Sequence, residues 1–171
     1  MIIIQQETYT LRTWEPADAP SLAQQLNNKK LWDNCRDGLP FPYSQEDGDF
    51  FIQLVKQKDG VHDFCIEVEG KAVGNIGFVP GNDVERFSAE VGYILGESYW
   101  NRGIMTDALR EAISYYFETT DIVRLFAFIF EYNPASMRVL EKVGFSKVGI
   151  MHRAVYKNDQ FWDGHYYELL K

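Results

Sequence analysis

The sequence predicts an α/β protein built on one mixed, mostly antiparallel sheet with helices on both faces. Three observations carry this. Short apolar and aromatic runs recur along the chain, bounded by turn residues, as strands do. One stretch, Gly103 to Phe117, holds a continuous apolar stripe at helical spacing. That helix lies between two strand candidates, so the strands it joins run parallel, while the hairpins before and after it add antiparallel pairs.

In order, Thr8 to Thr13 alternates and carries Tyr9 and Leu11, and reads as a strand. Glu15-Pro16-Ala17-Asp18 opens a helix, with proline tolerated in the first turn. Gly38, Pro40 and Pro42 break regular structure after Lys30. Ser44-Gln45-Glu46-Asp47 has the form of a capping box before a helix reaching Lys58. His62 to Val68 and Ala72 to Val79 are strands joined by the turn Glu69-Gly70-Lys71, and Glu85 to Leu95 is a third. The long helix carries Ile104, Met105, Ala108, Leu109, Ala112, Ile113 and Tyr116 on one stripe. Val123 to Phe130 is a buried strand, and Asn133-Pro134 opens a helix that ends near Val143-Gly144. Phe145 to Tyr156 and Phe161 to Leu170 are the last strands, linked by Lys157-Asn158-Asp159.

A length of 171 residues suits a single domain, 1–171, and an apolar fraction of 46% is enough for a real core. The net charge of -8 argues against nucleic-acid binding and is compatible with a cationic partner such as an amine. The two cysteines, Cys35 and Cys65, form no CxxC pair and do not cluster with the three histidines, so no metal site is expected. The N-terminus has neither a basic leader nor a long apolar run; the expectation is a cytoplasmic protein without a membrane span.

Within Tyr99-Trp100-Asn101-Arg102-Gly103-Ile104-Met105-Thr106-Asp107-Ala108-Leu109, a tight turn feeds directly into the long helix. Backbone N–H groups from Trp100 to Thr106, the helix dipole and Arg102 could all face one anion, and a diphosphate is the natural guest. No Gly-Lys-Ser/Thr follows, so this is not a Walker A loop.

The same eleven residues resemble the acetyl-CoA-binding motif of the GNAT superfamily of N-acetyltransferases, in the branch of the ribosomal-protein N-terminal alanine acetyltransferases (RimJ/RimL-like). Leu11-Arg12, Gly74-Asn75-Ile76-Gly77-Phe78 and Ala89-Glu90-Val91-Gly92-Tyr93 resemble successive family strands. Asn133-Pro134-Ala135-Ser136 and Val139-Leu140-Glu141-Lys142-Val143-Gly144-Phe145 resemble the later helix and its exit. The resemblance covers nearly the whole chain, and the family's element order is the one derived above. The broad family has Gln or Arg at the place of Trp100 and Gly or Ala at that of Met105. The branch often has Gly at that of Asn101, a residue that tolerates a left-handed conformation.

The resemblance implies acetyl-CoA as co-substrate. Its pantetheine would lie along backbone groups of Ile94 and Leu95, on a splayed edge between two parallel strands. Its pyrophosphate would sit on the N–H groups of Arg102, Gly103, Ile104, Met105 and Thr106, with Trp100, Asn101 and Asn133 also at the cofactor. An amine would attack the thioester directly. Glu90 is the first candidate for base, through water, with a solvated strand carboxylate as the other reading. Asp163 and His165 are alternative bases. Many relatives carry an acidic tyrosine where Leu140 stands here, so Ser136 would serve the sulfur. Asn133 and Ser136 also suit a helix cap, and Arg138 and Lys142 are surface charges within possible reach of the nucleotide phosphate.

Trp32, Phe41, Tyr43, Phe161, Trp162 and Tyr166 are candidates to line an acceptor pocket, with Asp33, Asp37 and Asp163 to receive a cation. The acceptor expected is a small amine or a protein N-terminus, the assembly a monomer or homodimer. The alternative is a catalytically silent CoA-binding or interaction protein.

Overall fold

The computed structural model describes all 171 residues. Its elements are β1 (Ile2–Gln5), β2 (Thr10–Arg12), α1 (Ala19–Leu26), α2 (Lys29–Trp32), α3 (Gln45–Lys56), β3 (Asp63–Val68), β4 (Lys71–Pro80) and β5 (Ser88–Leu95). Then come α4 (Ile104–Thr119), β6 (Arg124–Phe130), α5 (Pro134–Lys142), β7 (Ser146–Lys157) and β8 (Gln160–Leu170). The eight strands follow one another in the sheet as β1-β2-β3-β4-β5-β6-β8-β7. The pair β5–β6 is parallel, as the helical crossover requires, and the pairs β1–β2, β2–β3, β3–β4, β6–β8 and β7–β8 are antiparallel. Two compact units share the chain: Met1–Gly77 with Tyr93–Ala112, and Phe78–Gly92 with Ile113–Lys171.

In the first unit, Trp14, Ala19, Leu22, Leu26, Leu31, Tyr43, Ile52, Cys65 and Ala72 form one core cluster. Trp14 orients within it by giving its indole N–H to Asn75 at 2.9 Å. Beside the core lies a buried ion pair. Both Arg12 terminal nitrogens reach the Asp18 carboxylate at 2.7 Å, and Nε bonds Glu67. The pair ties β2 to the 3₁₀ turn Pro16–Asp18 that leads into α1. Ser44 and Asp47 form the expected capping box at α3, which ends at Lys56, two residues short of its predicted end. Glu69 and Gly70 turn the β3–β4 hairpin with φ of 51° and 75°.

Two elements of this unit were not predicted. β1 pairs antiparallel with β2 although no turn signal separates them. α2 is one helical turn that straddles the start of the stretch read as broken, started by Asn28, whose side chain accepts from the Lys30 N–H.

In the second unit, Phe78 stacks on Tyr116 with ring centroids 4.1 Å apart. β5 begins at Ser88 rather than Glu85, because Asp83–Glu85 forms a 3₁₀ turn. β8 pairs with β6 along the whole of β6, from Arg124↔Leu170 to Phe130↔Gly164. Asn158 and Asp159, both at positive φ, close the β7–β8 hairpin.

Alternation along these strands makes two unlike faces. Tyr167 gives its hydroxyl to Glu141 of α5 at 3.3 Å, so Leu125, Ala127, Ile129, His165 and Leu169 share the face that carries α5. Phe126, Phe128 and Tyr166 lie on the other face and touch, with Tyr166 6.2 Å from Phe126 and 5.1 Å from Phe128. Gly164 is required there: a Cβ on it would fall 2.0 Å from the Phe128 ring.

Candidate active site

In the first unit, the end of β5 leads into a 3₁₀ turn, Glu97–Tyr99, and then into the turn that starts α4. Asn101 has φ of 60° and Gly103 of 79°, so the backbone turns left-handed twice within three residues. Such alternation gathers successive N–H groups on one concave side. The first N–H groups of α4, at Ile104, Met105 and Thr106, have no acceptor within the helix. Asn101, Arg102 and Gly103 are exposed, and a Cβ at Gly103 would meet nothing within 4 Å. The turn is therefore open to an anionic guest.

Two departures, Asn101 from the branch and Met105 from the wider family motif, find their explanation here. Asn101 holds the left-handed conformation that its short polar side chain tolerates. The Met105 side chain is buried, so only its backbone faces the turn.

Trp100 stands apart from its neighbours. Its N–H is committed to the Glu97 carbonyl at 3.1 Å, which removes it from the set of free donors expected there. Its indole N–H is given to the Leu95 carbonyl at 2.7 Å, so Trp100 braces the turn against the end of β5. Arg102 lies over the Tyr99 ring at 5.4 Å. Leu95 is buried and Ile94 half-buried against the core cluster. Gly74 lets β4 come close to them: a Cβ on it would sit 2.5 Å from the Ile94 carbonyl oxygen.

In the second unit, the parallel ladder of β5 and β6 runs Ser88↔Arg124, Ala89↔Leu125 and Glu90↔Phe126. β6 then continues to Phe130, paired with β8 on its other side. The ladder thus ends at Glu90, which is half-buried and shares the face of its register partner Phe126. At the far end of β6, the Asn133 side chain accepts the Ser136 N–H at 3.2 Å and Pro134 fills the first helical position. Asn133 is therefore the cap of α5, and half-buried Ser136 lies in its first turn. Arg138 and Lys142 are exposed on α5.

The residues considered for the acceptor divide. Tyr43 is a core residue, 5% exposed, and lines no open surface. Trp32 and Phe41 pair at 5.7 Å, and Asp33 is bonded to Lys29 at 2.6 Å. In the second unit Trp162 meets Tyr132 at 4.7 Å, while Phe161 is exposed beneath the Arg153 guanidinium.

Asp163 is ill suited to be a base. One oxygen accepts the Arg153 N–H and the other bonds His152 Nδ1, both at 2.8 Å. These bonds hold its carboxyl below the usual carboxylate range. Asp163 serves a bulge instead: the register passes from Met151↔Gly164 to Val155↔Trp162, with Arg153 at φ of 53°. Sequence reasoning missed His152, for which no motif exists, and treated Phe126 and Phe128 only as a buried strand. The period-two pattern that exposes them on one face was available.

Residues 9–146 match the family model described as an acetyltransferase (GNAT) domain. The ribosomal-protein-serine acetyltransferase of Escherichia coli is 30% identical, covering 85% of this chain and 83% of that protein. The spermidine N(1)-acetyltransferase of the same organism is 27% identical, covering 68% and 66%. Among solved structures, RimL, a ribosomal L7/L12 alpha-N-protein acetyltransferase in complex with coenzyme A, superposes with a TM-score of 0.86 at 26% identity, covering 99% of this chain and 98% of that one.

Proposed function

We infer that this chain, which belongs to the GNAT acetyltransferase family, transfers an acetyl group from acetyl-CoA to a primary amine through the residues assigned below. The observation that carries the assignment is the double left-handed turn at Asn101 and Gly103 ahead of the free N–H groups of α4. That turn suits the pyrophosphate, with Arg102, Gly103, Ile104, Met105 and Thr106 donating, Asn101 shaping the bend and Trp100 bracing it. Ile94 and Leu95 offer backbone to the pantetheine, and Asn133, the cap of α5, is assigned to the cofactor on the family resemblance.

The chemistry has separate proton tasks. An ammonium must lose a proton before it can attack, and the thiolate that leaves must be stabilised. Glu90 takes the first task, through a water. Its half-burial and its position at the last rung of the β5–β6 ladder support this. Ser136 takes the second by hydrogen-bonding the sulfur, supported by its half-buried position in the first turn of α5.

For the acceptor, a protein N-terminus is favoured by the relative that modifies ribosomal protein and by the RimL likeness. A small amine is favoured by the spermidine enzyme. We read residues 1–171 as one N-acetyltransferase domain of a reducing compartment such as the cytoplasm, where Cys35 and Cys65 stay outside any disulfide. No helix is long and apolar enough to cross a membrane. The test is CoA thiol release from acetyl-CoA with a panel of N-terminal peptides beside spermidine. Release with some member supports the reading and sorts the acceptor. Tight acetyl-CoA binding without release to any amine would instead make the protein a silent CoA binder.

A further inference from the structure

His165 Nδ1 is a buried side-chain nitrogen without a hydrogen-bond partner. Buried polar atoms are almost always paired, so one that is not calls for a reason. The ring's neighbours across the sheet explain why the chain itself provides none: His165 is flanked by Ile129 of β6 and Ile150 of β7, both aliphatic. The charged groups around it are Lys147 on β7, Glu131 after β6 and Asp163 on its own strand. Burial, then Lys147, depresses the imidazole below its ordinary value, which keeps the ring neutral near pH 7.

Its position along the fold is informative. Two residues further on, Tyr167 reaches Glu141 of α5. β8 and α5 run the same way, because both run opposite to β6. Two residues of strand span about 7 Å, which about four to five residues of helix also span. Counting back from Glu141 brings His165 level with Met137 and Ser136, on the face that carries α5. Glu90 is on the opposite face with Phe126.

We propose that His165, through its Nδ1–H, is a second hydrogen-bond donor to the departing sulfur of acetyl-CoA, beside Ser136. The proposal rests on the acetyl-transfer reading above and deepens it. As the amine nitrogen bonds to the carbonyl carbon, the C–S bond breaks and its electron pair stays on sulfur. The nitrogen sheds a proton, which ends on the thiol or in solvent. His165 transfers no proton; it holds the charge developing on sulfur with a fixed donor in an apolar wall. A weakly hydrated, polarizable sulfur suits a site that two isoleucines flank.

The experiment compares binding of CoA and of desulfo-CoA to the parent and to His165→Leu, with kcat and acetyl-CoA KM measured beside them. The parent should prefer CoA over desulfo-CoA by more than about fivefold, each of its two hydrogen bonds to sulfur being worth roughly that factor. In His165→Leu that preference should shrink about fivefold, to what Ser136 alone supports, with desulfo-CoA affinity unchanged, and kcat should fall about 100-fold at constant KM, as when an oxyanion donor is removed. His165→Asn, which returns an amide N–H near the Nδ1 position, should regain part of both, and it serves as the test if the leucine variant does not fold. An unchanged CoA preference with kcat within about twofold of the parent in the folded variant would overturn the proposal and leave the nitrogen to an internal water. A parent that releases thiol to an amine yet binds CoA no better than desulfo-CoA would overturn it while sparing the acetyl-transfer reading. A parent that binds neither would overturn both.

Discussion

Trp100 donates its indole N–H to the carbonyl of Leu95 at 2.7 Å, and this bond fixes the turn at the head of α4 to the end of β5. Trp100→Phe keeps the ring and removes the donor. A neutral hydrogen bond is worth about 1 kcal/mol, so acetyl-CoA should bind about fivefold more weakly. Calorimetric titration of the two proteins checks this; equal affinity would mean that the brace does not matter to the turn.

Gly103 makes a sharper prediction, because its reason is conformational. Space for a Cβ is present, but φ is 79°, where an L-residue pays about 1–2 kcal/mol. Gly103→Ala should therefore weaken acetyl-CoA binding about tenfold and lower Tm by a few degrees, whereas Asn101→Gly should be nearly neutral in both.

The buried pair of Arg12 and Asp18 governs stability rather than chemistry. Asp18→Ala leaves the buried Arg12 guanidinium with Glu67 as its one carboxylate partner and should cost about 3–5 kcal/mol, read as a lower urea midpoint at an unchanged m-value. Thiol release per folded molecule should stay at the parent's rate.

Asp163 predicts a pH dependence. Its folded carboxyl is held below the usual range by the Arg153 N–H and by His152. A depressed carboxyl contributes stability that is fully present above the unfolded value of about 3.9 and is lost as pH falls through the folded one. The urea midpoints of parent and Asp163→Asn should differ at pH 7 and draw together as pH falls below about 3.9. A gap that does not narrow on acidification would mean that the bulge is held by something other than the carboxylate.

Glu90→Gln and Ser136→Ala test the two proton tasks apart. Glu90→Gln should lower kcat about 100-fold near neutral pH and flatten the acidic limb of the rate profile, as loss of a general base does. Ser136→Ala should lower kcat about tenfold or more with acetyl-CoA KM unchanged. Full turnover across pH in either variant removes that residue from its role.

The order of elements was legible because its signals are local. Ser44 with Asp47 starts α3, Asn133 with Pro134 starts α5, and the stripe from Ile104 to Tyr116 marks α4. The turn at Asn101 and Gly103 was legible for the same reason. β1 was not, since its partner β2 is chosen by register across the sheet and not by a turn between them. Neither could sequence show that Tyr43 enters the core, that Asp163 is tied to a bulge three residues wide, or that His165 stands between two isoleucines. Each depends on partners far along the chain. A titratable residue reads the same in sequence whether its neighbours satisfy it or leave it bare.

The turn from Trp100 to Thr106, read as an acetyl-CoA cradle serving amine acetylation, is what every assignment above depends on. The most direct measurement is calorimetric titration of acetyl-CoA into the parent and into Gly103→Ala, with desulfo-CoA and ADP as references. The expected result is saturable one-to-one binding of acetyl-CoA by the parent, weaker binding of ADP for want of the pantetheine, and a loss in Gly103→Ala of about tenfold, as the left-handed position requires. No binding by the parent at millimolar ligand, or equal binding by the variant, would contradict it.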